Sequence, residues 1–388
     1  MSDSKLNFID LFCGCGGFSH GLEKAGLRCL VGIDFLNDAI ETFKLNHPNS
    51  LAICEDLKNL DPKEVKSLIK NKKVHLICGG PPCQGFSTIG TGDAEDSRNH
   101  LFLEFVKFVE FFKPNYILIE NVTGLLAEKN RNTLLSIFKC FEEIGYHLDV
   151  KVLSSDHYGV PEVRRRVIIV GNNKNIENIY PQQIHGEGNN LKKPNTVGWA
   201  FKNLIKSKKK SLNHSIEQAK IKKDVDLERI KCVPEGKSIR YEKDEKEYLP
   251  RKLWFDHDWN KISENRFREA KYFRLSRDKP SPTIVTHRGM YYHPTENRYL
   301  TVREAASLQS FPAEFEFKGS LTKQWVQIGN AVPPMMSEKI GESILLMHKN
   351  IRKKIKDRKS RDIDEIRSKA FLYKKASKDK NTQLKLKV

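Results

Sequence analysis

The stretch Asp10-Leu-Phe-Cys-Gly-Cys-Gly-Gly-Phe-Ser19 reads as the end of a strand, a glycine-rich turn and the start of a helix. Glycines let the backbone approach a ligand closely, and free N–H groups at a helix start favour a carboxylate or phosphate. Outward from it, the first 171 residues alternate short apolar runs with helical patterns, the signature of a parallel sheet with crossover helices. Strands are predicted at residues 6–12, 28–34, 50–56, 74–80, 116–122, 149–155 and 165–171. Punctuation supports the helices between them. Asp61-Pro62-Lys63-Glu64 combines an N-cap, a first-turn proline and a capping-box acid, while Gly26 and Gly145 stand where helices should end.

From Asn172 to about Lys271 the pattern breaks into lysine runs, scattered aromatics and little periodicity, which predicts a separate irregular module. Regularity returns at Pro280, followed by a helix capped by Thr301 and Glu304 and, after Pro334, a last helix. The expected organisation is a catalytic and cofactor-binding domain over 1–171 and a small domain over 172–320. A return to the first domain follows over 321–348, then a basic tail over 349–388.

With 38% hydrophobic and 30% charged residues in 388, the chain reads as a globular protein with a polar surface. It has no apolar run long enough to span a bilayer and no secretory start, so no membrane partner is expected and the cytoplasm is the expected compartment. Eight cysteines without a Cys-x-x-Cys pair suggest reduced thiols, with no metal expected. Cys13-x-Cys15 lacks the four regularly spaced ligands of a structural zinc site. A net charge of +19 favours a polyanionic partner such as nucleic acid.

In an open parallel sheet, ligands bind beyond the carboxyl ends of the strands. The unusual residues fall on that rim. Gly14, Gly16 and Gly17 follow the first strand, Asp34 ends the second, Asp56 ends the third, Cys83 follows the fourth and Glu120 ends the fifth. Asp34 is placed to accept from ribose hydroxyls, a pattern that would serve a nicotinamide dinucleotide equally well. Phe35 either stacks on an adenine or is a partly buried aromatic. Cys83, in Gly79-Gly-Pro-Pro-Cys-Gln-Gly-Phe-Ser87, follows two prolines that fix the backbone. A thiolate there suits covalent attack, with Glu120 of Glu120-Asn-Val122 as an acid and Asn121 bracing the cysteine loop. Arg164 and Arg166, in Gly159-Val-Pro-Glu-Val-Arg-Arg-Arg166, would favour the thiolate and hold a phosphate; the alternative is a basic surface strand.

These segments resemble the motifs of the DNA (cytosine-5)-methyltransferases of bacterial restriction–modification type, in the family's order over nearly the whole chain. Asp10–Ser19 is similar to the first cofactor motif and Gln327–Pro334 to the last. The resemblance implies an α/β S-adenosylmethionine-dependent methyltransferase fold, Rossmann-like, with a smaller irregular target-recognition domain. It implies S-adenosyl-L-methionine as cofactor, contacted by Phe12, Gly14, Gly17, Asp34, Phe35, Asp56, Leu57, Pro82, Asn330 and Val332. The implied catalytic residues are Cys83, Glu120, Arg164 and Arg166. The implied reaction is methyl transfer to C5 of a cytosine flipped out of duplex DNA, through a Cys83 adduct at C6. A mobile lid is expected over residues 87–98, and the enzyme is expected to be a nucleoid-associated monomer whose partners are double-stranded DNA and a cognate restriction endonuclease. One departure stands out: Glu162 occupies a position where the family usually has Gln. Two alternatives remain at this stage, a tRNA cytosine-5 methyltransferase and a catalytically silent DNA-binding homologue.

Overall fold

The computed structural model describes residues 5–81, 97–207, 211–262, 264, 266–355, 364–365 and 367–368. They form two compact units. The first comprises Met1–Ser154, Arg165–Gln182 and Met336–Val388, and the second Ser155–Arg164 with Gln183–Met335.

In the first unit, β1 (Asn7–Leu11), α1 (Gly17–Lys24), β2 (Arg28–Asp34), α2 (Asn37–Asn46), β3 (Leu51–Cys54), α3 (Pro62–Leu68), β4 (Leu76–Gly79), α4 (Ser97–Phe112), β5 (Tyr116–Val122), α5 (Arg131–Glu143) and β6 (His147–Ser154) alternate as the periodicity predicts. After a two-residue β7 (Glu162–Val163) in the second unit, β8 (Arg165–Asn172) completes the sheet, in the order β3-β2-β1-β4-β5-β8-β6. Five strands are mutually parallel, whereas β8 runs antiparallel to both β5 and β6. No helix crosses between β6 and β8, and strands joined without a crossover pair antiparallel. The fold is the mostly parallel α/β sheet that the motifs imply.

The expected punctuation is in place. Asp61 accepts from the Lys63 N–H at 2.9 Å with Pro62 at the first helical position, and Gly26 and Gly145 end α1 and α5 at φ +108° and +85°. Phe102, Phe105 and Phe108 of α4 and Phe141 of α5 are fully buried against the sheet, with edge-to-face contacts from Phe141 to Phe102 and Phe105. Each such ring contributes roughly 2–3 kcal/mol by leaving water. The chain order reverses between β1 and β4, and this switch point fixes where a ligand crevice forms.

The second unit contains α6 (Val197–Lys206), α7 (Ile216–Ala219), α8 (Asp224–Cys232), β9 (Ile239–Tyr241), α9 (Glu242–Tyr248), β10 (Arg266–Lys271), β11 (Phe273–Arg274), β12 (Ser281–Pro282), β13 (Tyr291–Tyr292), α10 (Val302–Leu308) and α11 (Leu321–Asn330); α12 (Pro334–Lys349) then leads into the first unit. The supposedly irregular stretch thus holds four short helices and a β9–β10 ladder. Aromatics fill its core, where Trp259 and Phe267 pack at 4.7 Å and Tyr272 and Tyr292 stack at 5.7 Å.

The unit boundaries depart from the expected ones. Residues 155–164 and 321–335 group with the small unit, because β7 pairs with β12 and Arg164 binds the backbone at Ile284 and Gly329. Among the described residues, no helix is long and apolar enough to cross a membrane.

Candidate active site

β1 delivers the glycine loop to the rim of the first unit. Phe12, Gly14 and Gly16 all have positive φ, at +61°, +53° and +91°. A Cβ on Gly16 would come within 2.4 Å of His47 Nε2, so the turn needs glycine both for its backbone and for its space. Asp34 ties the loop down. Its carboxylate accepts from the N–H of Gly14 and of Leu36, each at 2.9 Å. A carboxylate has about four acceptor sites, so capacity remains for a ligand's hydroxyls. Burial pushes the Asp34 carboxyl up, while those N–H donors oppose the rise.

Beside the loop is a cavity of about 110 Å³ lined by Phe12, Ile33, Asp34, Phe35, Glu55, Asp56, Leu57 and Leu101. Five of these are expected cofactor contacts; Ile33, Glu55 and Leu101 carry no motif signal and are added by the structure. Phe35 is 64% exposed, an open aromatic face on the cavity wall rather than a core residue. Asp56 spends one oxygen on the Lys58 N–H at 3.0 Å. Aromatic faces, three acids (Asp34, Glu55 and Asp56) and a close-approach backbone suit a nucleoside with a charged substituent. Gly17 opens α1 and is buried. Asn330 ends α11 in the second unit, with Val332 buried just beyond it.

Beneath the loop, Ser19 Oγ donates to Asp10 Oδ2 at 2.6 Å, joining β1 to the first turn of α1. Asp10 is buried, which pushes its carboxyl up to about 7 against the opposing Ser19 hydrogen bond. Burial also pushes the Cys15 thiol to about 12 and the Cys13 thiol well up, so both remain thiols.

Across the switch point, β4 ends at Gly79 and leads into Gly80-Pro81; Pro82, Cys83 and most of the expected lid lie outside the described residues. The entry to the cysteine loop is nonetheless fixed. A Cβ on Gly79 would stand 2.0 Å from Leu11 O, and one on Gly80 3.3 Å from Glu120 Oε2. Asn121 Nδ2 donates to Pro81 O at 2.9 Å, the expected brace.

Glu120, at the end of β5, is 9% exposed. Arg166 Nε meets its Oε1 at 2.9 Å. The arginines are expected to serve a thiolate and a phosphate; Arg166 instead meets the acid, because β8 runs antiparallel to β5. An antiparallel strand begins at the edge where its neighbours end, so Val122 pairs with Arg166.

Arg164 faces another way. It is 1% exposed, and within the second unit its guanidinium donates to Ile284 O at 3.3 Å and Gly329 O at 2.8 Å. Glu162, also buried, accepts the Ile284 N–H through Oε1 at 2.5 Å. Acid and base therefore grip the two backbone groups of one residue, and the oxygen of an amide at position 162 would serve as the same acceptor.

A mostly parallel sheet with a glycine loop, a cavity that opens on an exposed aromatic and three acids, and an acid–arginine pair on one rim defines an α/β enzyme of the Rossmann-like class. The model of the C-5 cytosine-specific DNA methylase family matches residues 6–346, and the chain belongs to that family. It is a DNA cytosine-5 methyltransferase.

The chain is 34% identical to Type II methyltransferase M1.HphI of Haemophilus parahaemolyticus, over 89% of this chain and 88% of that one. It is 33% identical to M.DdeI of Desulfomicrobium norvegicum, over 89% and 90%. Both agree with the bacterial branch that the motifs resemble. Among solved structures, a prophage-encoded DNA modification methyltransferase of E. coli superposes with a TM-score of 0.68 at 26% identity, covering 89% of this chain and all of that one. Spodoptera frugiperda DNMT2, at 18% identity and a TM-score of 0.57, shares the fold.

Proposed function

We propose that the chain transfers a methyl group from S-adenosyl-L-methionine to C5 of a flipped-out cytosine within a specific duplex sequence, through a covalent bond from Cys83 to C6. The observation that carries this reading is the Glu120–Arg166 pair beside Gly80, on the same sheet edge as the glycine loop and the Phe35 cavity. Phe12, Asp34, Phe35, Asp56 and Leu57 would hold the nucleoside, and Gly14 and Gly17 would let its polar end approach the backbone. Pro82, Asn330 and Val332 complete the assigned cofactor contacts. When bound, the cofactor supplies an electrophilic methyl group on a sulfonium.

The C5 carbon of cytosine is a poor nucleophile. Attack by the Cys83 thiolate at C6 makes C5 enamine-like, and Glu120 steadies the ring by meeting N3 and the exocyclic amine. Arg166 orients Glu120, and Arg164 secures the segment that carries it. Loss of the C5 proton then lets Cys83 leave. Because C5 is inaccessible in a duplex, the base must leave the stack.

The lysine-rich small unit would position DNA through phosphates while a few side chains read base edges. The chain would act as a cytoplasmic, nucleoid-associated monomer protecting host DNA from a restriction endonuclease of the same specificity.

Incubation with labelled S-adenosylmethionine and duplex DNA tests the reading. Label recovered as 5-methylcytosine supports it, whereas label confined to tRNA, or DNA binding with no label at all, refutes it. Bisulfite sequencing of DNA from cells expressing the chain would also give the target site.

A further inference from the structure

The glycine turn that would seat the cofactor is supported from behind by a side chain outside the cavity lining. Phe12, Gly14 and Gly16 all lie at positive φ, and Gly16, the N-cap of α1, has no side chain with which to fix its own helix start. The far end of α2 supplies the support. Phe43, fully buried, packs on Gly32 of β2, and its ring stacks on that of His47 at 4.3 Å and 24°. Both rings close on Gly16, where a Cβ would meet His47 Nε2 at 2.4 Å and Phe43 Cδ2 at 2.8 Å.

His47 is in turn aligned by α1. Its Nδ1 lies 2.6 Å from Glu23 Oε2, and an ionised carboxylate only accepts, so Nδ1 carries the hydrogen and donates. Gly16, His20 and Glu23 fall at i, i+4 and i+7 on one face of α1, and the His20 ring meets His47 edge-on at 6.1 Å. The imidazole is thus pinned at one nitrogen by the end of α1 and rests with the other against its beginning. α2 extends this brace to the cavity. It starts at Asn37, directly after the turn in which Asp34 accepts the Leu36 N–H and Phe35 stands open. From this juxtaposition we propose that His47, aligned by Glu23, is a positioning residue for cofactor binding. It keeps the turn at Gly16 in register with the Asp34–Phe35 wall and so sets the affinity for S-adenosylmethionine without touching it. The proposal rests on that turn being the cofactor's seat.

Equilibrium dialysis and steady-state kinetics on the full chain test it. His47→Phe keeps a ring and the stack on Phe43 but loses the hydrogen bond, while Glu23→Leu removes the same bond from a side chain that is 30% exposed. Each should raise both the dissociation constant and the KM for S-adenosylmethionine about tenfold, the scale of one hydrogen bond to a charged group. kcat at saturating cofactor and the KM for duplex DNA should stay within about twofold, a split that a general loss of structure would not produce. Because Glu23 acts through His47, the double variant should bind no worse than either single one. Glu23→Gln, which keeps an acceptor for Nδ1, should stay within about threefold of wild type. Single variants that bind the cofactor like wild type overturn the positioning role, as do losses that add in the double variant or a parallel fall in kcat and duplex affinity. A wild-type chain that binds no S-adenosylmethionine in the same dialysis refutes the proposed function and the brace's role with it, so the two failures are told apart.

Discussion

Glu120 is held by the Arg166 guanidinium and given room by the missing side chain of Gly80. Arg166 holds Oε1 at 2.9 Å, and the hydrogen on Gly80 leaves room for Oε2. Arg166→Ala should lower turnover by about 10²–10⁴-fold, the range for losing a positioned acid–base contact, while S-adenosylmethionine still binds in equilibrium dialysis. Arg166→Lys should recover little, because an ammonium lacks the planar fork. Gly80→Ala should act the same way, lowering kcat more than it raises the KM for cofactor. The rim residues were legible because glycines, prolines and strand-end acids are unusual in apolar runs. The Glu120–Arg166 contact was not, because it depends on strand direction, which periodicity does not record. Glu162 is the departure that structure explains. Glu162→Gln keeps an acceptor for the Ile284 N–H and should shift stability by no more than about 1 kcal/mol in chemical denaturation.

At the scale of elements, the two units are built by different means. Hydrophobic periodicity built the first and made its strands readable. In the second, buried and half-buried guanidiniums collect backbone carbonyls. Arg274 reaches the carbonyls of Ile230, Val233, His293 and Glu296, Arg229 those of Leu253 and Trp254, and Arg303 those of Leu212, Pro312 and Phe315. Such staples need no repeating pattern, which is why the module read as irregular and why helices such as α6 went unpredicted. They also mean that part of the positive charge is structural. Arg274→Met should cost about 3–5 kcal/mol by leaving several buried carbonyls unpaired. Thr301→Ala, which removes the predicted capping box of α10, should cost only about 1 kcal/mol. All four tryptophans (199, 254, 259 and 325) lie in the second unit, so intrinsic fluorescence during denaturation reads these losses directly.

For the molecule as a whole, Asp10 ties stability to pH. Buried between β1 and α1, it faces Ser19 and Cys15 from α1 and its approach, Cys29 and Asp34 from β2, Cys78 from β4, and Cys13 beyond its own strand. Its folded-state pKa of about 7 lies above the unfolded value of about 3.9. The folded form therefore favours the proton. The contribution is complete below the unfolded value and is lost as pH rises through about 7. Asp10→Asn should remove this decline, so the variant gains on wild type by roughly 3 kcal/mol between pH 5 and pH 8, followed by circular dichroism.

The central claim is a covalent bond between Cys83 and a cytosine ring at the rim that Glu120 and Arg166 share. A duplex carrying 5-fluorocytosine at the target position has no proton to lose from C5 after methyl transfer, so the adduct should persist. With S-adenosylmethionine present, peptide mapping by mass spectrometry should find the methylated nucleotide on the peptide containing Cys83 and nowhere else. A folded enzyme that methylates ordinary duplex DNA, yet forms no adduct or forms it on another residue, would contradict the account.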